Sequence, residues 1–570
     1  MTLRDRIMAA RGLLAPDLVL KNARVVNVFA NDVQECDVAI KDSVIVGLGR
    51  YESDETIDLA GSYLMPGLID GHLHIESTML SPSEFARAVV PHGTTSVVVD
   101  PHEIGNVLGP RGIKLLLDAT DGLPINVFVN VPSCVPASPM ESPAFHMEAA
   151  DMEPLFAHPR VVGVAELMNY PGVLNADGSV LAKIELGQRL NVPIDGHAPR
   201  VTGKDLCAYV AAGIESDHET TLAEEAEEKL RLGMWLMVRE GSTEHNLKEL
   251  LPVVRRLHAR RAMFVTDDRA ATDLRDEGHL DHALRLAIAE GLDPVWAVAM
   301  ASLNAAERFG LKRRGAVAPG YAADLMVCDD LQAPTPRLVF HAGKLVARDG
   351  KPLFAARPFD LSSALDTVHI APLDDSTFRI PFTSGRCRVI GIIPHQIVTA
   401  NLIEEPRVVG GEIVGDLERD LLKFAVVERH HATGRVGMGL VQGFGLRSGA
   451  LSSSVAHDAH NIGVVGTNDA DMRLAVEANA AQQGGLIVVR DGKVLASLPL
   501  PIGGLMSDLT FEEVAHRLEQ VEQAAESLGC AIHRPFMTLS FLALSVIPSL
   551  KLTDLGLVDV DLWEVVPVAV

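Results

Sequence analysis

Met65-Pro-Gly-Leu-Ile-Asp-Gly-His72-Leu-His74 is the stretch on which the reading of this chain turns. An apolar run ends in two histidines spaced i, i+2. On an extended strand alternate side chains share a face, so His72 and His74 point the same way. Two neutral imidazoles at one strand end can share a divalent cation such as Zn, Fe or Mn. Alone, an HxH pair reads equally well as two unrelated surface histidines. The chain that follows decides between them.

From Met65 to Asp268 one pattern recurs: a short apolar run, a polar ending, then a helical stretch. The runs are 65–74, 94–100, 125–131, 161–168, 192–197, 213–218, 235–242 and 262–268, with helical stretches such as 81–92, 203–212, 223–232 and 244–260 between them. Near-continuous apolar strands alternating with helices imply parallel strands covered by helices. Eight such units predict an α/β fold, a (β/α)8 TIM-like barrel, over 63–311. The short strands before it (1–62) and after it (312–358) are expected to pair into one small composite β-sheet domain. The remaining 359–570, with glycine-rich turns, short strands and a helix at 510–528, are expected to form a separate α+β domain.

The 570 residues are 48% hydrophobic and 22% charged, a globular composition. The formal net charge of −25 argues against nucleic acid or an anionic membrane as partner. A small neutral or cationic substrate, or a metal, fits better. Six scattered cysteines without a CxxC pair predict a reducing cytoplasm, and neither a signal peptide nor a membrane span is expected.

In such barrels chemistry sits at the strands' C-terminal ends. Those ends carry His72 and His74, then Asp100 with His102 and Glu103, then Glu166, His197, His218 with Glu219, Arg239 with Glu240 and Ser242, and finally Asp267 and Asp268. Burying so many ionisable groups without a cation would cost several kcal/mol. The donor count favours two ions: His72, His74 and Asp267 for one, His197 and His218 for the other, Glu166 between them. Two cations sharing a water generate hydroxide near neutral pH, and Asp267 is the natural acceptor of its proton.

The PGLIDGHLH start, the later histidines, the TDD of the eighth run and the segment GYAADLMV resemble the amidohydrolase superfamily. The chain is similar to the bacterial adenine deaminases throughout: IDGHLHIEST, DPHEIGNVLG, VAELMNYPGV, DGHAP, REGS, VTDDR with EGHLDH, VAHDAHNIGVVGTND and LPLPIGGLMSD carry the resemblance. Many relatives that open cyclic amides bridge their ions with a carboxylated lysine, and this chain offers Glu166 instead. The resemblance implies metal ligands at His72, His74, Glu166, His197, His218 and Asp267, with two Mn or Fe ions (Zn being possible). It also implies hydrolysis of adenine to hypoxanthine and ammonia, with Glu166 and Asp267 in the chemistry. A protonated carboxyl should donate to ring N1, and Glu103, Glu240 and Asp268 all qualify.

His102, Arg239, Ser242 and Asp268 are further candidates for substrate contact. Structural roles compete: His102 with Glu103 as a helix cap, Arg239 with Ser242 as loop pins. The polar cluster Ser454, His457, Asp458, His460 and Asn461 is expected to close over the barrel mouth, with His457 and Asp458 near substrate. His430-His431, beside Glu428 and Arg429, reads as a solvated surface. A homodimer is the expected assembly. The alternatives are a cyclic amide hydrolase (dihydropyrimidinase- or dihydroorotase-like), a deaminase of another 6-substituted purine, and a metal-free scaffold protein.

Overall fold

Gly67 divides the expected first strand in two. In the structure, a computed structural model describing residues 1–394 and 396–570, Tyr63–Pro66 and Leu68–Leu73 are separate strands. A Cβ on Gly67 would lie 2.2 Å from Thr95 Oγ1, so only glycine lets the chain pass from one sheet to the next there. Tyr63–Pro66 pairs with Leu18–Asn27 and Leu325–Cys328 inside a nine-stranded sheet. That sheet takes strands from both sides of the barrel sequence.

The barrel strands are β1 (Leu68–Leu73), β2 (Thr94–Val99), β3 (Asn126–Val131), β4 (Val161–Leu167), β5 (Ile194–Gly196), β6 (Ser216–Asp217), β7 (Trp235–Arg239) and β8 (Ala262–Val265). Five form one parallel sheet, β5-β4-β3-β2-β1, and three another, β6-β7-β8. The sheets curl and meet at two seams. At one, Glu215 N donates to Ile194 O at 3.1 Å. At the other, Asp267 N donates to His72 O at 3.1 Å, beside a parallel bridge between Leu73 and Asp267. Asp70 pins this second seam by accepting from Thr266 Oγ1 at 2.7 Å and from His72 N at 3.2 Å. Every residue of β2 is buried, as a parallel strand covered on both faces requires. β5 and β6 are shorter than their apolar runs, so His197 and His218 stand just past the strands, on the loops of the rim.

Residues beyond the flanking sheet build a β-rich domain around a second, eight-stranded sheet, covered by the helices Asp469–Ala481 and Phe511–Ser527. It ends in a three-stranded sheet, Leu550–Thr553, Gly556–Asp559 and Glu564–Val566. This cap rests on the barrel rim. Ser507 N donates to Met79 O at 2.9 Å, Asn461 Nδ2 to Ser142 O at 3.0 Å, and Thr553 Oγ1 to Met140 O at 2.6 Å. Among the described residues no helix is long and apolar enough to cross a membrane.

Candidate metal centre

Glu166, at the end of β4, lies between two pairs of histidines, one pair on each oxygen. Oε1 stands 3.7 Å from His72 Nε2 and 3.6 Å from His74 Nε2. Oε2 stands 2.6 Å from His197 Nδ1 and 3.2 Å from His218 Nε2. The i, i+2 spacing and the rim loops thus bring four imidazoles from three parts of the barrel onto one carboxylate. Asp267 completes the first group: its Oδ1 is 3.1 Å from His74 Nε2 and 3.7 Å from His72 Nε2. Its backbone has φ of +56°, while Asp268 Oδ1 is held by Ser77.

The donor atoms are prepared for a cation. His74 Nδ1–H donates to Asp100 O at 2.8 Å, which leaves Nε2 with its lone pair facing the cluster. His72 Nε2 is wholly buried and has no hydrogen-bond partner among the described residues, though two carboxylate oxygens lie just beyond bonding reach. A cation is the ligand that satisfies such an atom. The surrounding chamber is lined by five carboxylates (Glu166, Glu219, Asp267, Asp268, Asp458) against one guanidinium, Arg239. The excess of carboxylates favours cations there. Burial, reinforced by His218, holds His72 well below its ordinary range. Burial opposes ionisation of Glu166 and Asp267, but the facing imidazoles, joined at Asp267 by Arg239, hold both well below the usual carboxylate range.

Arg239 ends β7 and is buried between two acids. It pairs with both oxygens of Glu219 and donates to Asp267 Oδ2 at 2.7 Å. Glu219 carries no role in the motifs themselves; its place beside His218, with an arginine at the next strand end, is the signal the sequence offers. Its Oε1 lies 3.7 Å from His218 Nε2 and 3.9 Å from His197 Nδ1. Ser242, by contrast, does not reach the chamber. Its hydroxyl binds Asp273 and accepts from Ala270 N at 2.8 Å, which pins the β7 loop.

A second polar group adjoins the first. Ser77 Oγ contacts Glu103 Oε1 at 2.7 Å and also reaches Asp268 Oδ1. A hydroxyl donates one proton, so Ser77 serves one of these two carboxyls at a time. Burial raises the Glu103 carboxyl. Glu240 is turned outward onto the half-exposed His245 at 2.7 Å and takes no part in this group. His102 and Glu103 open a short helix but make no side-chain capping bond, so the helix-cap role is not theirs. Instead His102 Nδ1 lies 3.3 Å from Asp100 Oδ2 and its Nε2 lies 3.5 Å from Asp458 Oδ1.

Asp458 belongs to the cap, whose loop reaches over the rim. His457 Nε2 stands 3.6 Å from Asp268 Oδ2, and its Nδ1 stands 3.9 Å from Glu103 Oε1. Burial opposes charge on His457, yet the surrounding Asp458, Asp268 and Glu103 raise it to about 9. The segment expected to be a solvated surface proves to be the buttress of this loop, and that expectation is corrected. Arg429 is buried, binds His460 O through Nε and Gly503 O at 3.0 Å, and its N–H donates to Asn461 Oδ1 at 3.1 Å. His430 Nε2 donates to Ala459 O at 2.6 Å, and only His431 is exposed. Charged residues in a row looked solvated because their acceptors, the loop's carbonyls, are remote in sequence.

A family model described as the amidohydrolase family matches residues 63–351, and one described as the adenine deaminase C-terminal domain matches residues 396–564. Among curated proteins, adenine deaminase 2 of Carboxydothermus hydrogenoformans is 50% identical over 568 residues, covering 100% of this chain and 99% of its own. The adenine deaminase of Dehalococcoides mccartyi is 48% identical over 566 residues, 99% of each chain. That of Geobacillus kaustophilus is 47% identical over 572 residues, 100% of this chain and 99% of its own.

Proposed function

The chain belongs to the adenine deaminase family of amidohydrolases and deaminates adenine by hydrolysis; we propose that the reaction runs on two divalent cations held by His72, His74, Glu166, His197, His218 and Asp267. The observation that carries this reading is Glu166, with a histidine pair on each oxygen. When bound, such a pair of cations supplies a water ionised near neutral pH and positioned for attack.

The chain's own groups do the rest. Asp267 takes a proton from the attacking water and passes it to the departing amine. Arg239 holds the other oxygen of Asp267, which keeps that carboxylate anionic and fixes its aim. Glu103, raised by burial and with Oε2 free of any partner among the described residues, carries a proton on that oxygen and gives it to N1 as water adds at C6; the C6 hydroxyl proton later replaces it. The C6–N bond then breaks, ammonia leaves, and the oxygen stays on C6 as the carbonyl of hypoxanthine. His102, His457, Asp458 and Asp268 line the opposite wall and orient the purine edge.

Manganese or iron as the resident metal is part of the same reading, supported by a mixed imidazole and carboxylate donor set. A cytoplasmic location is supported by six cysteines that all stay free. A homodimer rests only on being the commonest assembly for such chains. The test is to strip the protein with chelator, restore Mn, Fe or Zn separately, and follow ammonia release from adenine beside a hydantoin. Metal-dependent ammonia release from adenine, with no ring opening of the hydantoin, is expected; opening of the hydantoin ring without ammonia from adenine would overturn the reading.

A further inference from the structure

The catalytic chamber holds about 20 Å³ of free space, while a cleft beside it holds about 370 Å³. The chamber volume suits about one water molecule. A flat purine fits the cleft and not the chamber, so part of the wall between them must move when substrate enters. Ile397 and Phe541 line both spaces. Both come from the cap and both are nearly buried. The Phe541 ring lies over His457, with centroids 4.9 Å apart and planes 13° apart, which makes it the outer cover of the polar wall.

Lys551 stands behind the pair. Its Nζ donates to Ile397 O at 2.7 Å and to Phe541 O at 2.9 Å. The side chain is fully buried, and burial alone pushes its ammonium down to about 7. Among the described residues these two carbonyls are its only hydrogen-bond partners. A cation kept in an apolar setting without a counter-ion is costly, and a methionine would fill the same space without that cost. What the lysine adds is a bond to the main chain of each residue that separates cleft from chamber.

We propose that Ile397 and Phe541 form the aperture through which the purine reaches the metal centre, and that Lys551 is a positioning residue that fixes both main chains so that side-chain rotation alone opens it. This rests on the adenine deaminase reading and deepens it. A framed aperture passes a flat free base and rejects a purine carrying a ribose on N9, so it selects as well as admits.

The test uses the full chain loaded with Mn and 2-aminopurine, a fluorescent isomer of adenine, whose entry is followed by stopped flow. Phe541→Ala and Ile397→Ala are expected to raise its association rate constant about tenfold, as removal of a conformational barrier does. In the same variants the ratio of adenosine to adenine turnover is expected to rise. Lys551→Met is expected to lower kcat/KM for adenine more than kcat at unchanged metal content, and Lys551→Gln, which keeps an N–H donor, to recover part of the loss. Unchanged association rates in both aperture variants, with normal adenine turnover by the parent protein, would overturn the aperture alone. An Mn-loaded parent protein that does not turn over adenine would overturn the functional reading and the aperture with it. The two aperture variants keep the test decisive even where Lys551→Met fails to fold.

Discussion

Two buried cations of the barrel, Arg239 and Lys229, and two of the cap, Arg429 and Lys551, are partnered in opposite ways. In the barrel, Arg239 sits between Glu219 and Asp267, and Lys229 binds Asp217 at 2.9 Å and Glu225 at 2.6 Å. In the cap, Arg429 and Lys551 bind main-chain carbonyls. Arg239 and Lys229 therefore hold charge in place. Arg429 and Lys551 hold backbone in place. Removing the first kind strands carboxylates; removing the second leaves carbonyls without donors. These are different penalties, and each can be measured.

The largest effect is expected at Arg239. Arg239→Met leaves Glu219 and Asp267 buried without their cation, a defect worth about 3–5 kcal/mol. Adenine turnover should fall at least a thousandfold, with loss of bound metal. Arg239→Lys should restore little, because one ammonium cannot replace a two-pronged contact. Full activity in either variant would break the contrast between the regions.

Glu103, where barrel and cap meet, comes next. Glu103→Gln keeps the shape but loses the proton donor, and kcat should fall by about 10²- to 10⁴-fold with metal content unchanged. An equal loss of metal would reassign Glu103 from the purine to the cations. In the cap, Arg429→Met strands the carbonyls of His460 and Gly503, at about 1–3 kcal/mol for each unsatisfied group. The expected result is a lowered Tm with near-normal kcat well below it. A large kcat loss at unchanged Tm would place Arg429 with the barrel's kind.

A pH dependence of stability is expected at Lys551. Its folded pKa is about 7 against an ordinary value of 10.5. Below the lower value both states are protonated and the burial penalty is felt in full. Between the two values the unfolded chain binds more protons, so this group makes stability rise with pH, and the rise ends above the unfolded value. Denaturant titrations over that window should show a smaller rise in Lys551→Met than in the parent protein.

The sequence made the barrel side legible and the cap side largely not, for a physical reason. Parallel strands deliver all their C-terminal ends to one rim, so residue type at a strand end is enough to nominate His72, His74, Glu166, His197, His218 and Asp267. Direction past the strand is harder. Glu103 and Glu240 looked equivalent, until the bridge between Glu240 and His245 turned one of them outward. Asp267 and Asp268 are likewise alike in sequence, and the fold alone puts Asp267 Oδ1 3.1 Å from His74 Nε2. In the cap, Arg429, Phe541 and Lys551 act on partners tens to hundreds of residues away, and no periodicity announces such pairs. Their apolar or charged neighbours looked like ordinary core or surface.

The most direct test counts metal ions per chain, by elemental analysis of Mn-reconstituted protein, in the parent and in Glu166→Ala. The account predicts two ions in the active parent, and at most one, with adenine turnover lost, when the carboxylate between the histidine pairs is removed. An active parent holding a single ion, or a Glu166→Ala variant that keeps two ions and its turnover, would contradict it.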